Sequence, residues 1–502
     1  MRKHLIFSAI AVLALIACSR QRTTYGEHIY IISTNDIHAS IDAIPHLATI
    51  IDDYEARGEV IIVDSGDRVT GNAYIDDAMQ PGVPLIKLMN AMGFDVATLG
   101  NHEFDKGSEV LDTMLAAADF EVVCANVEAH NGATQTKPYT ILSRAGIDIG
   151  FAGVVATDNN GYPLGGKLSY TNYTFSPDIE TAYTTCTTLA AECDFVVLLS
   201  HMGAESDRLL TERLAGEALG VDDIWIAGGH SHDTVAEAHD NIHISQNNKN
   251  IRYATVADIE VRDSTIVAIR YEQINTATIT PSTTMEQRIE ELKASDPELN
   301  TVEGFATATA TKDGVANFTV EALTSYPYAD NFVPEISFYH YGGVRIDAIP
   351  AGDVKRVDIL NNDPFVSTIY IGMLTPAEMR AFILEKYNSG SPEQPDKESH
   401  YLYFRSDVPY SVILGDTPAN APDALDALDV VFNLEERPYR VAMCNYIAEN
   451  YIANDVAAHA LKQTDITVRE AMLRLMRSFG AEGFTPDNEC KQQEIRATES
   501  TK

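Results

Sequence analysis

Five predicted strands in the first half of this chain end in the same kind of polar turn. Each is a short run rich in apolar and β-branched residues, followed within a few positions by Asp, His or Asn, nearly always beside a glycine. The five runs cover residues 28–34, 59–64, 94–99, 194–199 and 223–227. Stretches with the apolar spacing of helices separate several of them, so strand and helix alternate. In open α/β sheets, sites form where loops converge at the carboxyl ends of strands. The pattern therefore predicts an α/β domain with a polar site.

The polar residues after these strands are spaced to bind metal ions. Asp36 and His38 are two positions apart, and His230 and His232 repeat this spacing. In an extended chain, residues i and i+2 project to the same side, so each pair can hold one ion. The set contains carboxylate, imidazole and amide groups without thiolate, which suits Mn, Zn, Fe or Co better than a structural zinc site. A lone histidine at a strand end is usually a surface residue, but the repetition at five strand ends indicates a metal centre.

The 502-residue chain carries a large excess of acidic side chains. Its 73 Asp and Glu residues against 36 Lys and Arg residues give a net charge of −37. Such a surface opposes binding to nucleic acid and to anionic lipid headgroups, so we expect no nucleic-acid partner. An anionic substrate would need local positive charge from metal ions or from a few placed arginines. The length exceeds what one hydrophobic core supports and predicts two domains.

The amino terminus is predicted to be a targeting segment outside the fold. Basic residues at 2–4 precede the apolar run "LIFSAIAVLALIA", which is too short to span a membrane as a stable helix. The run ends in "LIAC", which resembles the bacterial lipobox. We therefore expect residues 1–17 to be a lipoprotein signal peptide and Cys18 to be the lipidated first residue of a cell-envelope protein. Ser19 rather than Asp favours the outer membrane over the inner one. The alternative is an ordinary secretory signal with a chance cysteine.

Five motifs occur in the order found in calcineurin-like metallophosphoesterases: "TNDIH", "DSGDRVTGN", "GNHEFDKG", "SHMG" and "GGHSH". Together with the connecting "PLIKLMNAMGFD" and "VCANV", they most resemble the bacterial periplasmic 5′-nucleotidase/UDP-sugar hydrolase family. The resemblance implies a four-layer α/β/β/α metallophosphoesterase sandwich over residues 25–275. It also implies two divalent ions, which could be Mn, Zn, Co, Fe or Mg. Seven ligands are implied: Asp36, His38 and His232 at one ion, Asn101, His201 and His230 at the other, and Asp67 bridging both.

The same resemblance implies a reaction. In two-metal sites of this kind, a water between the ions loses a proton near neutral pH and attacks phosphorus in line. His102 and Asp105 correspond to the family's catalytic dyad, in which the histidine stabilises phosphoryl charge or protonates the leaving oxygen. Glu103, which lies between them, has no such role in the family and is expected to be structural. Ala39 stands where the family usually has glycine, a small change beside a ligand.

The second half of the chain resembles the nucleotide-binding domain of the same family. A linker with a hinge helix is expected over residues 276–298, an α+β domain over 299–485 and a mobile tail over 486–502. The stretches "YGGVRIDAIPAGDV" and "NDPFVSTIYIGMLTPAEMRAF" match that domain's pattern. The match places Arg345 at the arginine that grips substrate phosphate and Phe365 at an aromatic that stacks on the nucleobase. The alternatives are a surface arginine and a core phenylalanine.

Other features of the second half depart from the family pattern and leave the substrate open. Residues 340–341 read His-Tyr where the family has Asn-Gly. The arginines that the family carries upstream have no counterpart, because residues 301–344 contain none, and Lys312 is the nearest cation. The "GGDGF" motif that supplies a second stacking aromatic is missing, which leaves Tyr451 or Tyr446 as candidates, and we assign Tyr451 to the substrate site.

Three functions are compatible with the sequence. The favoured one is a lipid-anchored 5′-nucleotidase that acts on a nucleotide or another small phosphoester. The second is a family member with another preference, such as 2′,3′-cyclic nucleotides or UDP-sugars. The third is a catalytically inactive nucleotide-binding lipoprotein. The presence of both Asp67 and His102 favours an active enzyme.

Overall fold

The computed structural model describes residues 27–158, 161–163, 167–215, 219–221, 223–388, 404–415, 427–452 and 461–496. The predicted signal peptide and the predicted lipidation site Cys18 lie outside these ranges. Among the described residues, no helix combines the length and the apolar character that crossing a membrane requires.

The first part of the chain alternates strands and helices. Its strands are β1 (Glu27–Thr34), β2 (Glu59–Asp64), β3 (Val96–Ala97), β4 (Glu121–Val122), β5 (Val127–Ala129), β6 (Tyr139–Arg144), β7 (Ile147–Val155), β8 (Tyr173–Phe175), β9 (Phe195–His201), β10 (Ile224–Gly228), β11 (Thr234–His239), β12 (Ile242–Asn247), β13 (Tyr253–Arg262) and β14 (Thr265–Asn275). Its helices are α1 (Ile44–Glu55), α2 (Ala73–Asp76), α3 (Val83–Met92), α4 (Ser108–Ala117), α5 (Asp178–Ala190), α6 (Ala204–Leu214) and α7 (Thr283–Ala294). Short 3₁₀ turns occur at Ile41–Ala43, His102–Phe104, Lys167–Tyr170 and Thr276–Thr278.

Two six-stranded sheets pack face to face in this part. The first has the strand order β14-β13-β1-β2-β3-β4, and the second has the order β11-β12-β10-β9-β7-β6. Buried side chains from both sheets, including Ile31, Phe151 and Trp225, form the core between them. Helices α1, α3 and α4 cover the outer face of the first sheet, and α5 and α6 cover that of the second. The predicted α/β/β/α sandwich is confirmed.

Parallel pairing aligns the strand ends that carry the polar turns. In the first sheet, Thr34 lies opposite Asp64, and Asp64 lies opposite Ala97. In the second sheet, Ser200 lies opposite Gly228. The loops after β1, β2 and β3 therefore leave one sheet side by side, as do those after β9 and β10 in the other.

The helix predicted within the linker is present as α7, and its role as a hinge stays a prediction. Its side chains Met285 and Ile289 are buried in the core that α1 shares with the first sheet. Lys293 near its end forms an ion pair with Asp42, with 2.5 Å between Nζ and Oδ1. The helix therefore packs on the first part of the chain.

The second part is an α+β domain. Its strands are β15 (Val302–Ala306), β16 (Ala310–Thr311), β17 (Ile336–His340), β18 (Ala348–Ile349), β19 (Gly352–Lys355), β20 (Thr368–Leu374), β21 (Phe404–Ser406), β22 (Tyr410–Leu414), β23 (Ala427–Phe432), β24 (Tyr439–Cys444), β25 (Leu461–Thr467) and β26 (Gln492–Arg496). Its helices are α8 (Lys312–Ser325), α9 (Arg356–Leu360), α10 (Pro376–Asn388), α11 (Asn445–Asn450) and α12 (Val468–Ser478). The main sheet has the order β21-β17-β24-β20-β25, and a smaller sheet has the order β23-β22-β26.

The carboxyl-terminal segment differs from the predicted mobile tail. Within the predicted tail of residues 486–502, Gln492–Arg496 form β26, which pairs in parallel with β22. Asn488 Oδ1 accepts a hydrogen bond of 2.9 Å from the backbone N–H of Thr311. The sequence "QQEIR" has little apolar pattern, so backbone pairing rather than burial of side chains orders it, and hydropathy alone missed it. Residues 497–502 lie outside the described ranges.

Candidate active site

Five of the seven predicted metal ligands have left-handed backbone conformations, which residues other than glycine adopt rarely. Their φ angles are 49° at Asp36, 45° at His38, 54° at Asp67, 79° at His230 and 60° at His232. Strain of this kind costs about 1–3 kcal/mol per residue and is concentrated at functional sites. The turns after the strands therefore hold strained conformations that present the ligand side chains, at a cost to local stability.

Three of the predicted ligands form one compact group. Asp36, His38 and His232 offer donor atoms that all lie within 4.8 Å of one another. The Nε2 atoms of the two histidines are 2.9 Å apart. Asp36 Oδ1 lies 3.4 Å from Nε2 of His232 and 3.7 Å from Nε2 of His38. One carboxylate and two imidazoles thus face a common point.

The other predicted ligands form a second group, in which Asp67 takes part. Donor atoms of Asp67, His201 and His230 lie within 4.8 Å of one another. Asn101 Oδ1 is 3.0 Å from Nδ1 of His230. The donor atoms of Asp67, His38 and His102 also lie within 4.8 Å of one another. The Asp67 carboxylate therefore lies between the two groups of ligands.

Two buried donor atoms in these groups are left without a hydrogen-bond partner. They are Asp36 Oδ1 and His201 Nε2. The His201 atom lies 3.0 Å from Asp67 Oδ2. Leaving such atoms unpaired in a protein interior costs about 1–3 kcal/mol each, and more for a charged group. A divalent cation in each group would satisfy these atoms, and oxygen and imidazole donors suit Mn, Zn, Fe or Co. The residues therefore fit a metal centre.

Two of the ligands are held in the protonation state that metal binding needs. Burial, with repulsion from His201, lowers the pKa of His230 to about 4, so its imidazole is neutral and able to bind a metal. Burial alone would raise the pKa of Asp67, but the imidazoles of His201 and His102 hold it well below its ordinary value. The central carboxylate is therefore ionised. At a third ligand, His201, burial lowers the pKa but Asp67 outweighs it and raises the pKa to about 10, so a bound ion would displace a proton there.

Glu103, expected to be structural, joins the two loops that carry Asp67 and Asn101. Its buried carboxylate accepts hydrogen bonds from the backbone N–H groups of Gly100 at 2.6 Å, Asp67 at 2.9 Å and Arg68 at 2.9 Å. Arg68 was not among the predicted site residues, but its buried guanidinium donates a hydrogen bond to Asp64 Oδ2 at 3.1 Å. The sequence "DSGDR" did hint at this ion pair, because its first and last residues carry opposite charges four positions apart at the end of a buried strand.

We expect Glu103→Gln to destabilise the fold. Glutamine replaces an anion that accepts three N–H groups with a neutral amide, and hydrogen bonds to charged groups contribute about 1.5–3 kcal/mol each. The free energy of unfolding in urea should fall by about 2–4 kcal/mol. Glu109→Gln, an exposed position on α4, is the matched control and should change it by less than about 0.5 kcal/mol. Equal effects of the two variants would contradict the structural role.

The predicted dyad of His102 and Asp105 is formed. Nδ1 of His102 donates to Asp105 Oδ2 at 2.8 Å, and Thr70 Oγ1 donates to the same oxygen at 2.8 Å. The other ring nitrogen, Nε2, lies 3.8 Å from Asp67 Oδ2, on the side of the metal ligands. Burial lowers the pKa of His102, but the carboxylates of Asp105 and Asp67 outweigh it and raise the pKa to about 9. The imidazole thus holds a proton facing the site.

Arg345 and Phe365, from the second domain, lie against the predicted site residues His38 and His102. Nη2 of Arg345 is 3.4 Å from Nδ1 of His38. The ring centres of Phe365 and His102 are 5.8 Å apart, with the rings tilted by 37°. The guanidinium carbon of Arg345 lies 5.6 Å from the Phe365 ring centre. Phe365 retains 36% of its exposure and is not a core residue.

Tyr451 is not brought to Phe365. Its hydroxyl is 3.1 Å from that of Tyr446 and accepts a hydrogen bond of 3.2 Å from Lys386 Nζ. Its ring packs edge-on against Phe404 at 5.3 Å between centres. Tyr446 instead stacks on His340, with 4.2 Å between ring centres and a tilt of 29°. The predicted substrate contact of Tyr451 stays a prediction, and Tyr446 is the aromatic side chain that packs on the strand before Arg345.

The interface between the two parts holds the loop that carries Phe365. Arg469 on α12 forms an ion pair with Asp77, with 2.6 Å between Nη1 and Oδ2. Nε of the same guanidinium donates to the carbonyl of Asp363 at 2.6 Å, two residues before Phe365. One nearly buried arginine therefore ties this loop to the first domain.

Comparison with known proteins identifies one domain of the chain. Residues 293–455 match the family model of the 5′-nucleotidase, C-terminal domain. Protein UshA of Yersinia enterocolitica is 25% identical over 426 residues, which are 72% of this chain and 75% of that protein. Residues 293–455 thus form a 5′-nucleotidase C-terminal domain. The resemblance predicted from the sequence motifs is confirmed.

Two further comparisons show how far the likeness extends. The trifunctional nucleotide phosphoesterase protein YfkN of Bacillus subtilis is 25% identical over 417 residues, which are 70% of this chain but 27% of that protein. The chain spans about two fifths or less of the length of the first curated relatives it matches. The structure of the 5′-nucleotidase precursor from Thermus thermophilus superposes with a TM-score of 0.74 at 18% identity, covering 93% of this chain and 99% of that one. At this identity the likeness shows the fold alone.

Proposed function

We propose that the chain is a metal-dependent hydrolase that releases phosphate from nucleotides, of the 5′-nucleotidase type. One observation carries the proposal: seven candidate metal-ligand side chains gather in two groups that meet at Asp67. From the second domain, Arg345 contacts the ligand His38 and Phe365 contacts His102. We assign two divalent ions to the two groups. Their identity is an open choice among Mn, Zn, Co, Fe and Mg.

Each side chain has a task in this proposal. The ions, when bound, lower the pKa of water and neutralise phosphoryl charge. His102 offers a proton on its Nε2 side to the leaving oxygen, and Asp105 fixes the imidazole through Nδ1. Arg345 binds the phosphate through its guanidinium, and Phe365 stacks on the base. The substrate thus bridges both domains.

The alternatives within the family are 2′,3′-cyclic nucleotide and UDP-sugar hydrolysis. The similar protein YfkN is named a trifunctional nucleotide phosphoesterase, which supports action on more than one kind of phosphoester. A catalytically inactive scaffold is disfavoured, because the Asp67 and His102 side chains are present in geometry suited to catalysis.

Phe365→Ala tests nucleotide recognition. Stacking of a base on an aromatic ring contributes about 1–3 kcal/mol, so kcat/KM for AMP should fall about 5- to 150-fold. Hydrolysis of bis-p-nitrophenyl phosphate, which has no nucleobase, should fall much less. Phe305→Ala, at an exposed phenylalanine on β15, is the matched control. If kcat/KM fell equally for both substrates, Phe365 would be a packing residue. If kcat/KM for AMP did not fall, Phe365 would not be part of the nucleotide site.

We also propose that the protein is anchored in the cell envelope through Cys18, on the strength of the "LIAC" motif. Cys18→Ser should release the protein from the membrane fraction or block removal of residues 1–17. Mass spectrometry of the wild-type protein should find an acyl-modified amino-terminal cysteine. An unmodified amino terminus in the wild type would refute the anchor.

A further inference from the structure

A buried glutamine is bonded to the loop that carries His230 and His232. Gln246 is the residue before the last one of β12, and its side chain is fully buried. Parallel pairing places it opposite Gly228, the last residue of β10. The loop between β10 and β11 leaves the sheet at that residue, so Gln246 lies beside the start of the loop.

The amide of this glutamine bonds to alternate residues of the loop. Its Nε2 donates to the carbonyl of Gly229 at 2.9 Å. Its Oε1 accepts hydrogen bonds from the hydroxyl of Ser231 at 2.8 Å and from the backbone N–H of Asp233 at 3.2 Å. The two residues between these contacts are His230 and His232, which are the candidate metal ligands.

The loop has a backbone conformation that needs such support. The φ angles of His230 and His232 are 79° and 60°, in the left-handed region. Residues other than glycine persist there only where the surrounding structure over-determines the backbone. Three hydrogen bonds from one buried side chain fix groups on either side of each histidine. They therefore set the direction in which the two imidazoles leave the backbone.

The two histidines belong to different groups of ligands. His232 lies with Asp36 and His38, whereas His230 lies with Asp67 and His201. The loop thus supplies one imidazole to each group. A side chain that fixes this loop acts on both groups at once.

The residue after Gln246 makes the matching contacts to the other sheet. The backbone N–H of Asn247 donates to Asn35 Oδ1 at 2.9 Å, and Asn247 Nδ2 donates to the carbonyl of Ser33 at 3.0 Å. These contacts are made to the segment that leads into Asp36. The end of β12 carries no assigned ligand, yet it joins the loops of both sheets that supply the first group.

We propose that Gln246 is a positioning residue for both metal ions, whose amide holds the loop so that His230 and His232 face them. The inference rests on the proposed function, in which each group binds a divalent ion. It adds a residue that lies outside all five sequence motifs. Partners that orient metal ligands without touching the metal typically change metal affinity or activity by about 10- to 100-fold.

Gln246→Met tests this role, because methionine has a similar length but no amide. The affinity for Mn²⁺, measured on the metal-stripped protein by competition with a chelator, should fall about 10- to 100-fold at both sites. Ser231→Ala removes one of the three contacts and should lower the affinity about 2- to 10-fold. This milder variant gives the answer if Gln246→Met does not fold.

Gln492→Met is the matched control. Gln492 is also a buried glutamine on a strand, but it lies in the second domain. Its Nε2 donates to the carbonyl of Ser406 at 3.1 Å, and its Oε1 accepts from Arg405 at 3.1 Å. The control variant should lower the free energy of unfolding of the metal-free protein, as Gln246→Met does, but should keep the Mn²⁺ affinity of the wild type. The Mn²⁺ affinity therefore separates positioning of the ligands from support of the fold.

An unchanged Mn²⁺ affinity in Gln246→Met and in Ser231→Ala would overturn the inference. An equal loss of affinity in Gln492→Met would overturn it as well, and so would a wild-type protein that binds no Mn²⁺. None of these measurements involves a nucleotide. A wild-type protein that binds Mn²⁺ but does not hydrolyse AMP would therefore refute the proposed function and not the role of Gln246.

Discussion

Asp67→Ala should remove bound metal from both groups of ligands and abolish measurable turnover. The carboxylate lies between the two groups, and its Oδ1 also accepts the backbone N–H of His102 at 2.8 Å. Metal ions supply several kcal/mol of transition-state stabilisation, so phosphate release from AMP should fall by about 10³-fold or more. Elemental analysis of the purified protein and a phosphate-release assay measure the two effects.

Asp53→Ala, at an exposed position on α1, is the matched control and should leave metal content and rate at wild-type values. An Asp67→Ala protein that keeps both ions would contradict the bridging role. Loss of one ion with the other fully retained would assign Asp67 to a single ligand group.

His102→Ala should have the second-largest effect, through rate and not through metal. The imidazole faces the site with Nε2 and is held by Asp105, but it is not among the seven assigned ligands. Removal of a general acid costs about 10²- to 10⁴-fold, so kcat should fall by that factor while both ions are retained. Asp105→Asn should lower kcat by a smaller factor, because Thr70 Oγ1 can still donate a hydrogen bond to the side chain at position 105.

Metal content and kcat, measured on the same preparations, separate the two variants. If His102→Ala lost metal to the same extent as Asp67→Ala, the division between ligand and acid would be wrong.

The sequence predicted the architecture of the site well for a specific physical reason. Parallel strands place their carboxyl ends at one edge, so the polar turns after β1, β2 and β3 had to converge once the strands were recognised. The sharing of Asp67 between two groups of donors was implied by the family resemblance and not by the spacing of the residues. This depends on turns with left-handed residues, such as Asp67 itself, whose geometry no hydropathy pattern encodes.

Charged residues inside the fold were also hard to interpret from the sequence. Glu103 is buried because its carboxylate accepts three backbone N–H groups, which composition cannot show. The segment around β26 was wrongly expected to be mobile, because its polar residues join the sheet through backbone hydrogen bonds to β22. In both places hydrogen bonds, not apolar burial, decide the structure.

The substrate side was the least predictable part. Arg345 and Phe365 reach the first domain as their motifs implied, but Tyr451 bonds to Tyr446 and Lys386 instead of approaching Phe365. Packing across the domain interface depends on contacts distant in sequence, such as Arg469 with Asp77. No local motif specifies such contacts.

In the function proposed above, two divalent ions held at Asp67 make this chain a nucleotide phosphohydrolase. This is tested by phosphate release from AMP and ADP by the metal-stripped wild-type protein, before and after addition of Mn²⁺, Zn²⁺, Co²⁺ or Mg²⁺. We expect no release without metal and release restored by at least one ion, with two ions bound per chain. Binding of metal and nucleotide without phosphate release under any of these ions would contradict this function.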